Sequence, residues 1–285
     1  MYVWCDALTN YISGIGLLTD HAEEKWWDDA EVTHVIGKDI ARFHALIWPA
    51  MLKNGGLTVP PPNCLLIHGF LTSEGQKMSK SLGNVVVPDD VIAKYGVDAL
   101  RFYLSHEIPV GNDGDFTWKH FGEMYDAKLR NQLGNLLNRV LVLLRKEGGT
   151  IAVPESPTDA ARAAEGWQQF AEKMNAFDVH GAIQQAFEFV ATLNIAFDKA
   201  APWKLAGEER RILLSRFAES LRHVALLLLP FIPKTAQTMS RQLSVSYAGA
   251  MLEKSFVITD AMKAWGGEKG WSTVGEPGIL FAPVE

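Results

Sequence analysis

Two short apolar runs with a helical pattern between them set the strongest limit on how this chain folds. Thr33-His34-Val35-Ile36 and Cys64-Leu65-Leu66-Ile67-His68 read as strands. Between them Ile40, Phe43, His44, Ile47 and Met51 recur at helical spacing, after the turn Gly37-Lys38-Asp39. Strand, helix and strand with short connections give a parallel pair, because parallel neighbours need a crossover and a helix supplies it. The first part is therefore α/β, and ligands of such sheets bind beyond the C-terminal strand ends. Gly37-Lys38-Asp39 stands at one such end. Past the other comes Gly75-Gln76-Lys77-Met78-Ser79-Lys80-Ser81. Tyr2-Val3-Trp4-Cys5-Asp6 reads as a further buried strand and Tyr11 to Ile15 as a short helix. A buried strand at the very start suggests the C-terminal part of a longer protein.

The remainder is all-α. Pro88-Asp89-Asp90 opens a helix that Gly96 ends, since proline and carboxylates suit a helix's first turn. Asp98 to Leu104 forms another, and Gly111-Asn112-Asp113-Gly114-Asp115 breaks the chain. Lys119 to Arg145 runs as one long helix with Leu129, Leu133, Leu136, Val140 and Leu144 on one stripe. Further helices carry Ile183 to Phe197 and Leu213 to Leu228, with breaks at Ala201-Pro202-Trp203 and Pro230. The Gly-rich tail ends in Ile279-Leu280-Phe281, which packs back on the body. Three regions result: 1–69, a linking region 70–116 and a helical bundle 117–285.

Composition excludes several classes. Of 285 residues 48% are hydrophobic and 21% charged, as in a globular protein. Cys5 and Cys64, with Cys64 buried in its strand, make neither a disulfide framework nor a zinc site, which fits a reducing cytoplasm. The longest apolar run, Val224 to Ile232, is too short to span a bilayer and contains Pro230. A net charge of −6 leaves room only for a local basic face.

Three constellations carry chemistry. Lys77 and Lys80, with Ser79 and Ser81, set two ammonium groups and two hydroxyls between Gly75 and Gly83. By composition this is a solvated turn; as chemistry it suits a triphosphate that loses pyrophosphate. Asp39 is either a helix N-cap or an acceptor for ribose hydroxyls, with Gly37 letting a nucleotide approach the backbone. Trp4, Tyr11, Phe43, His44 and Trp48 form an aromatic set that is either core or the wall of an apolar substrate site, suited to a thioether. In the bundle Asn131, Asn135, Asn138 and Arg139 edge a helix that is locally basic. Trp203, beside a proline at a helix break, offers a stacking platform of the kind that reads splayed RNA bases.

Lys77-Met78-Ser79-Lys80-Ser81 resembles the signature loop of class I aminoacyl-tRNA synthetases. Tyr2 to Tyr11 and His34 to Ala50 resemble methionyl-tRNA synthetase, and the likeness continues through the bundle to Ala201-Pro202-Trp203. The resemblance implies the second half of a parallel Rossmann-like nucleotide-binding domain followed by a helical-bundle anticodon-binding domain. It implies methionine against Trp4, Tyr11, Phe43, His44 and Trp48. ATP, carrying Mg²⁺, would meet Gly37, Asp39 and Lys77, Met78, Ser79, Lys80 and Ser81, with Lys77 and Lys80 catalytic. The CAU anticodon of tRNA(Met) would meet Asn135, Arg139 and Trp203. Leu8 stands where some members have proline. The family's His-x-Gly-His signature is absent among the eight histidines, and no zinc knuckle or other metal site is expected from these residues. The expectation is a methionine–tRNA ligase part, monomeric and cytoplasmic, inactive without an N-terminal catalytic half. A leucine, isoleucine, valine or cysteine synthetase and a non-catalytic tRNA-binding module are the alternatives.

Overall fold

The computed structural model describes residues 3–16, 19, 30–57, 62–267 and 274–284, with Cys5 described by its backbone alone. Tyr2 and the stretch holding Trp26 and Trp27 lie outside the described residues. The chain divides into two compact units, one of residues 1–71 with 110–114 and one of 72–109 with 115–285.

In the first unit the strand expected over Tyr2 to Asp6 is not formed. The segment is a helix, α1 (Val3–Leu8), followed by α2 (Asn10–Ser13). A strand satisfies its backbone only against a partner edge, whereas a helix closes its hydrogen bonds internally. Helical winding here buries Leu8 and Ile12 against Trp48 and Leu52. The parallel pair forms as the spacing predicts: β1 (Thr33–Gly37) and β2 (Cys64–His68) align from Thr33 opposite Cys64 to Gly37 opposite His68. Along β1, His34 and Ile36 turn inward and Val35 outward, the period-two alternation of a strand. Cys64 is half-buried rather than buried. The crossover helix α3 is π-wound at Phe43–Ile47 and α-helical at Trp48–Asn54. That wide turn puts both His44 and Trp48 in the interior.

The second unit starts with the hairpin of β3 (Leu71–Ser73) and β4 (Gln76–Lys77), in which Thr72 pairs with Lys77 and Ser73 with Gln76. Glu74 and Gly75 both have positive φ, 54° and 73°, as a two-residue hairpin turn demands. Then come α4 (Pro88–Tyr95), α5 (Val97–Glu107) and β5 (Gly114–Phe116), which lies beside β3. One continuous helix, α6, follows: Trp118–Met124, a π-wound Tyr125–Gly134, then Asn135–Lys146. Its predicted stripe of Leu129, Leu133, Leu136, Val140 and Leu144 is wholly inaccessible to solvent. The stripe packs on α8 (Val179–Ala200) and α9 (Gly207–Leu228), while α7 (Pro157–Asn175) and α10 (Pro233–Gln242) complete the bundle. Phe281 of the tail meets Tyr125, whose hydroxyl donates to the Ala282 carbonyl at 2.8 Å. Among the described residues no helix is long and apolar enough to cross a membrane.

Two polar devices hold this unit. Asp98 accepts from the Thr235 amide at 2.6 Å, and Arg101 donates to the Phe231 and Pro230 carbonyls at 2.8 and 2.6 Å. They fasten α5, and with it the segment bearing the lysine loop, to the corner between α9 and α10. The second device is a buried ion pair on α9 that the sequence reading did not single out. Arg222 grips both carboxylate oxygens of Glu219 at 2.7 and 2.8 Å and donates to the Met262 and Ala264 carbonyls. His223 accepts from the Trp167 indole at 2.9 Å and lies 3.3 Å from Glu219. Burial opposes the Glu219 charge, but the hydrogen bonds from Arg222 and His223 overcome it and hold the carboxyl down at about 2.

Breaking this pair isolates a charge in the interior. Arg222→Leu should lower the unfolding free energy by about 3–5 kcal/mol, measured by denaturant titration. Because the folded Glu219 pKa lies below its ordinary 4.5, its contribution is complete above about pH 4.5 and is lost as pH falls through about 2. Glu219→Gln should flatten stability against pH across that window. An acid limb as steep as the parent's would contradict the assignment.

Candidate active site and nucleic-acid interface

The aromatic set comes together in the first unit. The Tyr11 hydroxyl is 3.1 Å from His44 Nε2, and His44 Nδ1 is 3.0 Å from the Ile40 carbonyl. A carbonyl only accepts, so Nδ1 carries a proton and donates to it, and the Tyr11 hydroxyl and Nε2 share a hydrogen bond. Burial raises the Tyr11 pKa, which keeps the phenol protonated for this role. Tyr11 meets Trp48 edge-on at 5.6 Å, and Trp4 stacks on Phe43 at 6.0 Å. His44 and Trp48 are buried, whereas Trp4, Tyr11 and Phe43 are partly exposed. The set is thus a core at its base and a surface at its rim. Sequence reasoning missed His34, which stacks on Tyr11 with ring centres 4.1 Å apart. Burial lowers its pKa first, with help from His44, so it adds a neutral ring. Its inward position on β1, two before Ile36, was the available signal.

At the C-terminal strand ends Gly37 and Asp39 sit together. Asp39 Oδ1 lies 2.7 Å from where a Cβ on Gly37 would stand, so any larger residue would displace the carboxylate. Asp39 is exposed, and its carboxylate makes no hydrogen bond among the described residues. Lys38, which sequence reasoning passed over, is 2.7 Å from both oxygens of Asp113 and 4.8 Å from the centre of the Phe70 ring. The Lys38 and Phe70 amide hydrogen bonds keep the Asp113 carboxyl below its ordinary range. The Asn112 carbonyl closes on the place where a Cβ on Gly69 would stand, an approach only glycine permits. The 110–114 segment thereby ties off the end of β2.

In the second unit the lysine loop is a folded turn. Asn84 accepts from the Ser79 amide at 2.9 Å and donates to the Lys77 carbonyl at 3.3 Å. Ser79 and Ser81 share a 2.6 Å hydroxyl contact. Lys77 and Lys80 are exposed and make no ion pair among the described residues. Behind them Asp115 anchors the hairpin, accepting from Thr72 Oγ1 at 2.6 Å and the Gly75 amide at 2.8 Å. Those two bonds depress its pKa, the Thr72 hydroxyl first. Two cations beside a braced hairpin make a surface for a polyanion.

The polar edge of α6 stands in the same unit. Asn131, Asn135 and Asn138 are exposed, and the Asn135 amide donates to Asn131 at 3.3 Å. Arg139, one turn on, lies over Trp203 at 5.7 Å and over Phe197 at 4.6 Å, and donates to Asp198 at 2.6 Å. Residues 64 positions apart in sequence thus share one platform. Ala201, in the left-handed region at φ 46° and ψ 55°, ends α8 and swings the 3₁₀ turn Pro202–Lys204 outward. The Trp203 indole is left 49% exposed. A planar cation against a half-exposed indole, rimmed by carboxamides, suits a nucleobase.

The anchoring role of Asp115 is measurable. Asp115→Ala removes acceptors from Thr72 and Gly75, at about 1–1.5 kcal/mol for the local bond to Gly75. Amide exchange at Gly75 should quicken by roughly tenfold while the bundle core exchanges as before. Unchanged exchange at Gly75 would contradict that role.

Residues 1–141 match the model of the class I tRNA synthetases (M). Over its whole length the chain is 38% identical to a methionine–tRNA ligase of Fusobacterium nucleatum and 39% to one of Bacillus subtilis, covering 45% and 43% of them. Methionyl-tRNA synthetase of Mycobacterium tuberculosis, solved with methionyl-adenylate, superposes on 99% of the chain with a TM-score of 0.82 and 29% identity, 56% of that structure being covered. The chain spans about half the length of the curated relatives it matches. It belongs to the methionyl-tRNA synthetase family of the class I tRNA synthetases.

Proposed function

We propose that this chain supplies part of a methionine–tRNA ligase: the pyrophosphate-side loop, much of the methionine wall and the anticodon reader. The platform of Arg139 on Trp203 carries the reading, because it joins distant residues into a base-sized surface with carboxamides beside it. In the proposed arrangement residues 1–69 are the second half of a Rossmann-like domain, 70–116 link it onward, and 117–285 bind the anticodon.

The reaction has two steps. The methionine carboxylate, already ionised at neutral pH, attacks the α-phosphate of ATP, and the bond to the β-phosphate breaks as pyrophosphate leaves. A terminal ribose hydroxyl of tRNA(Met) then attacks the methionyl carbonyl and AMP departs. Neither step needs this chain to supply a nucleophile. Its residues position and compensate charge. Trp4, Tyr11, Phe43, His44 and Trp48 hold the thioether side chain. Asp39 accepts from the ribose above Gly37. Lys77 and Lys80 offset charge on the departing phosphates, within a turn formed by Met78, Ser79 and Ser81. ATP would bring Mg²⁺ on its phosphates, whose negative charge the ion would spread beside Lys77 and Lys80.

A second reading, tRNA binding without catalysis, is favoured by one observation: none of the eight histidines falls in a His-x-Gly-His pattern. We expect the isolated chain to bind tRNA(Met) yet to catalyse methionine-dependent pyrophosphate exchange far below a full-length ligase. Trp203→Ala should weaken tRNA binding by roughly 5- to 100-fold, the worth of one stacked base. Exchange near the full-length rate would overturn the need for a complementing half. Unchanged tRNA affinity in Trp203→Ala would overturn the reader.

A further inference from the structure

The face of α8 next to the Arg139 platform carries features that the reading above does not use. Ile195 is 70% exposed, one of the most exposed large apolar side chains in this unit. Its neighbour Asn194 donates at 2.9 Å to the Gln132 carbonyl on α6 and at 2.9 Å to Val190, so this turn of α8 is pinned to the helix that bears Asn131 and Asn135. Three residues on, Asp198 gives its carboxylate to Arg139. Lys199, four residues from Ile195 and on the same helix face, is exposed and in no ion pair among the described residues. With Asp198 compensated by Arg139, Lys199 is left without an ion-pair partner among the described residues, beside an apolar surface.

We propose that the RNA surface continues from Trp203 and Arg139 onto α8, where Ile195 seats a second base and Lys199 meets its phosphate. The inference rests on the reading of the α6 edge as an RNA binder. Helical neighbours at this spacing have Cβ atoms about 5–6 Å apart, so one nucleotide spans both groups. The positive charge selects a polyanion, and continuity with the carboxamides of Asn131 and Asn135 selects an unpaired strand, whose bases are free to lie flat on side chains.

The test uses the whole chain and a tRNA(Met) anticodon stem–loop, followed by fluorescence anisotropy over a range of salt concentrations. Ile195→Ala should weaken binding by roughly 3- to 10-fold with the salt dependence unchanged, as expected for lost apolar contact. Lys199→Met should weaken binding and reduce the slope of log affinity against log salt by about 0.7, the signature of one single-strand phosphate contact. Both positions are exposed, so melting curves should match the parent. If Trp203→Ala weakens binding while both α8 variants keep parental affinity and slope, the inference fails and the anticodon reader stands. If none of the three substitutions alters binding, the reader itself fails and the inference with it.

Discussion

The buried seam of α6 governs much of what this molecule presents. Five aliphatic side chains from Leu129 to Leu144 are closed to solvent against α8 and α9, which fixes the rotation of a helix 29 residues long from Trp118 to Lys146. At about 1.5–3 kcal/mol for each buried aliphatic side chain, turning that face outward would cost about as much as a domain's whole stability. Everything opposite the seam is therefore committed to solvent. Asn131, Asn135 and Asn138 are outward because the leucines are inward. Arg139, at the margin, finds Phe197 and Trp203 because α8 packs on that same seam.

The first unit obeys a different constraint. A parallel pair places both C-terminal ends side by side, so Gly37 with Asp39 and His68 with Gly69 meet without long-range contrivance. The side chains that finish the site come from elsewhere. Asp113 reaches Lys38 and the Phe70 amide from more than 40 residues away. The π-wound turn of α3 shifts helical phase by one residue, and this sets His44 against Tyr11.

Much of this was legible in the sequence, for reasons of periodicity. The β1–α3–β2 crossover follows from two apolar runs and a 3.6-residue repeat, and the α6 seam from leucines at three- and four-residue spacing. The breaks at Gly96 and at Ala201-Pro202 follow from backbone chemistry, and the platform residues from their likeness to a family. What was not legible depends on pairing across distance. Tyr2 to Asp6 has a strand's composition, but whether such a run becomes strand depends on an available edge; from Val3 it winds into a helix. Glu219, Arg222 and His223 look like ordinary polar residues on a helix, and only the packing of Trp167, Tyr247 and Trp265 around them makes them a core. Asp115 and Asn84 belong to loops whose partners no local pattern announces.

The first unit thus offers a strand-end turn with an aromatic base, and the second a cationic loop and the polar edge of α6 proposed above to meet RNA. The central claim is that this edge reads an anticodon rather than binding RNA by charge alone. The most direct measurement compares the affinity of the chain for a stem–loop bearing CAU with that for the same stem–loop altered at the first anticodon base, at fixed salt. Reading by carboxamides, guanidinium and indole predicts at least about tenfold weaker binding of the altered loop, the worth of roughly 1.4 kcal/mol of base-edge contact. Equal affinity for the two would contradict it.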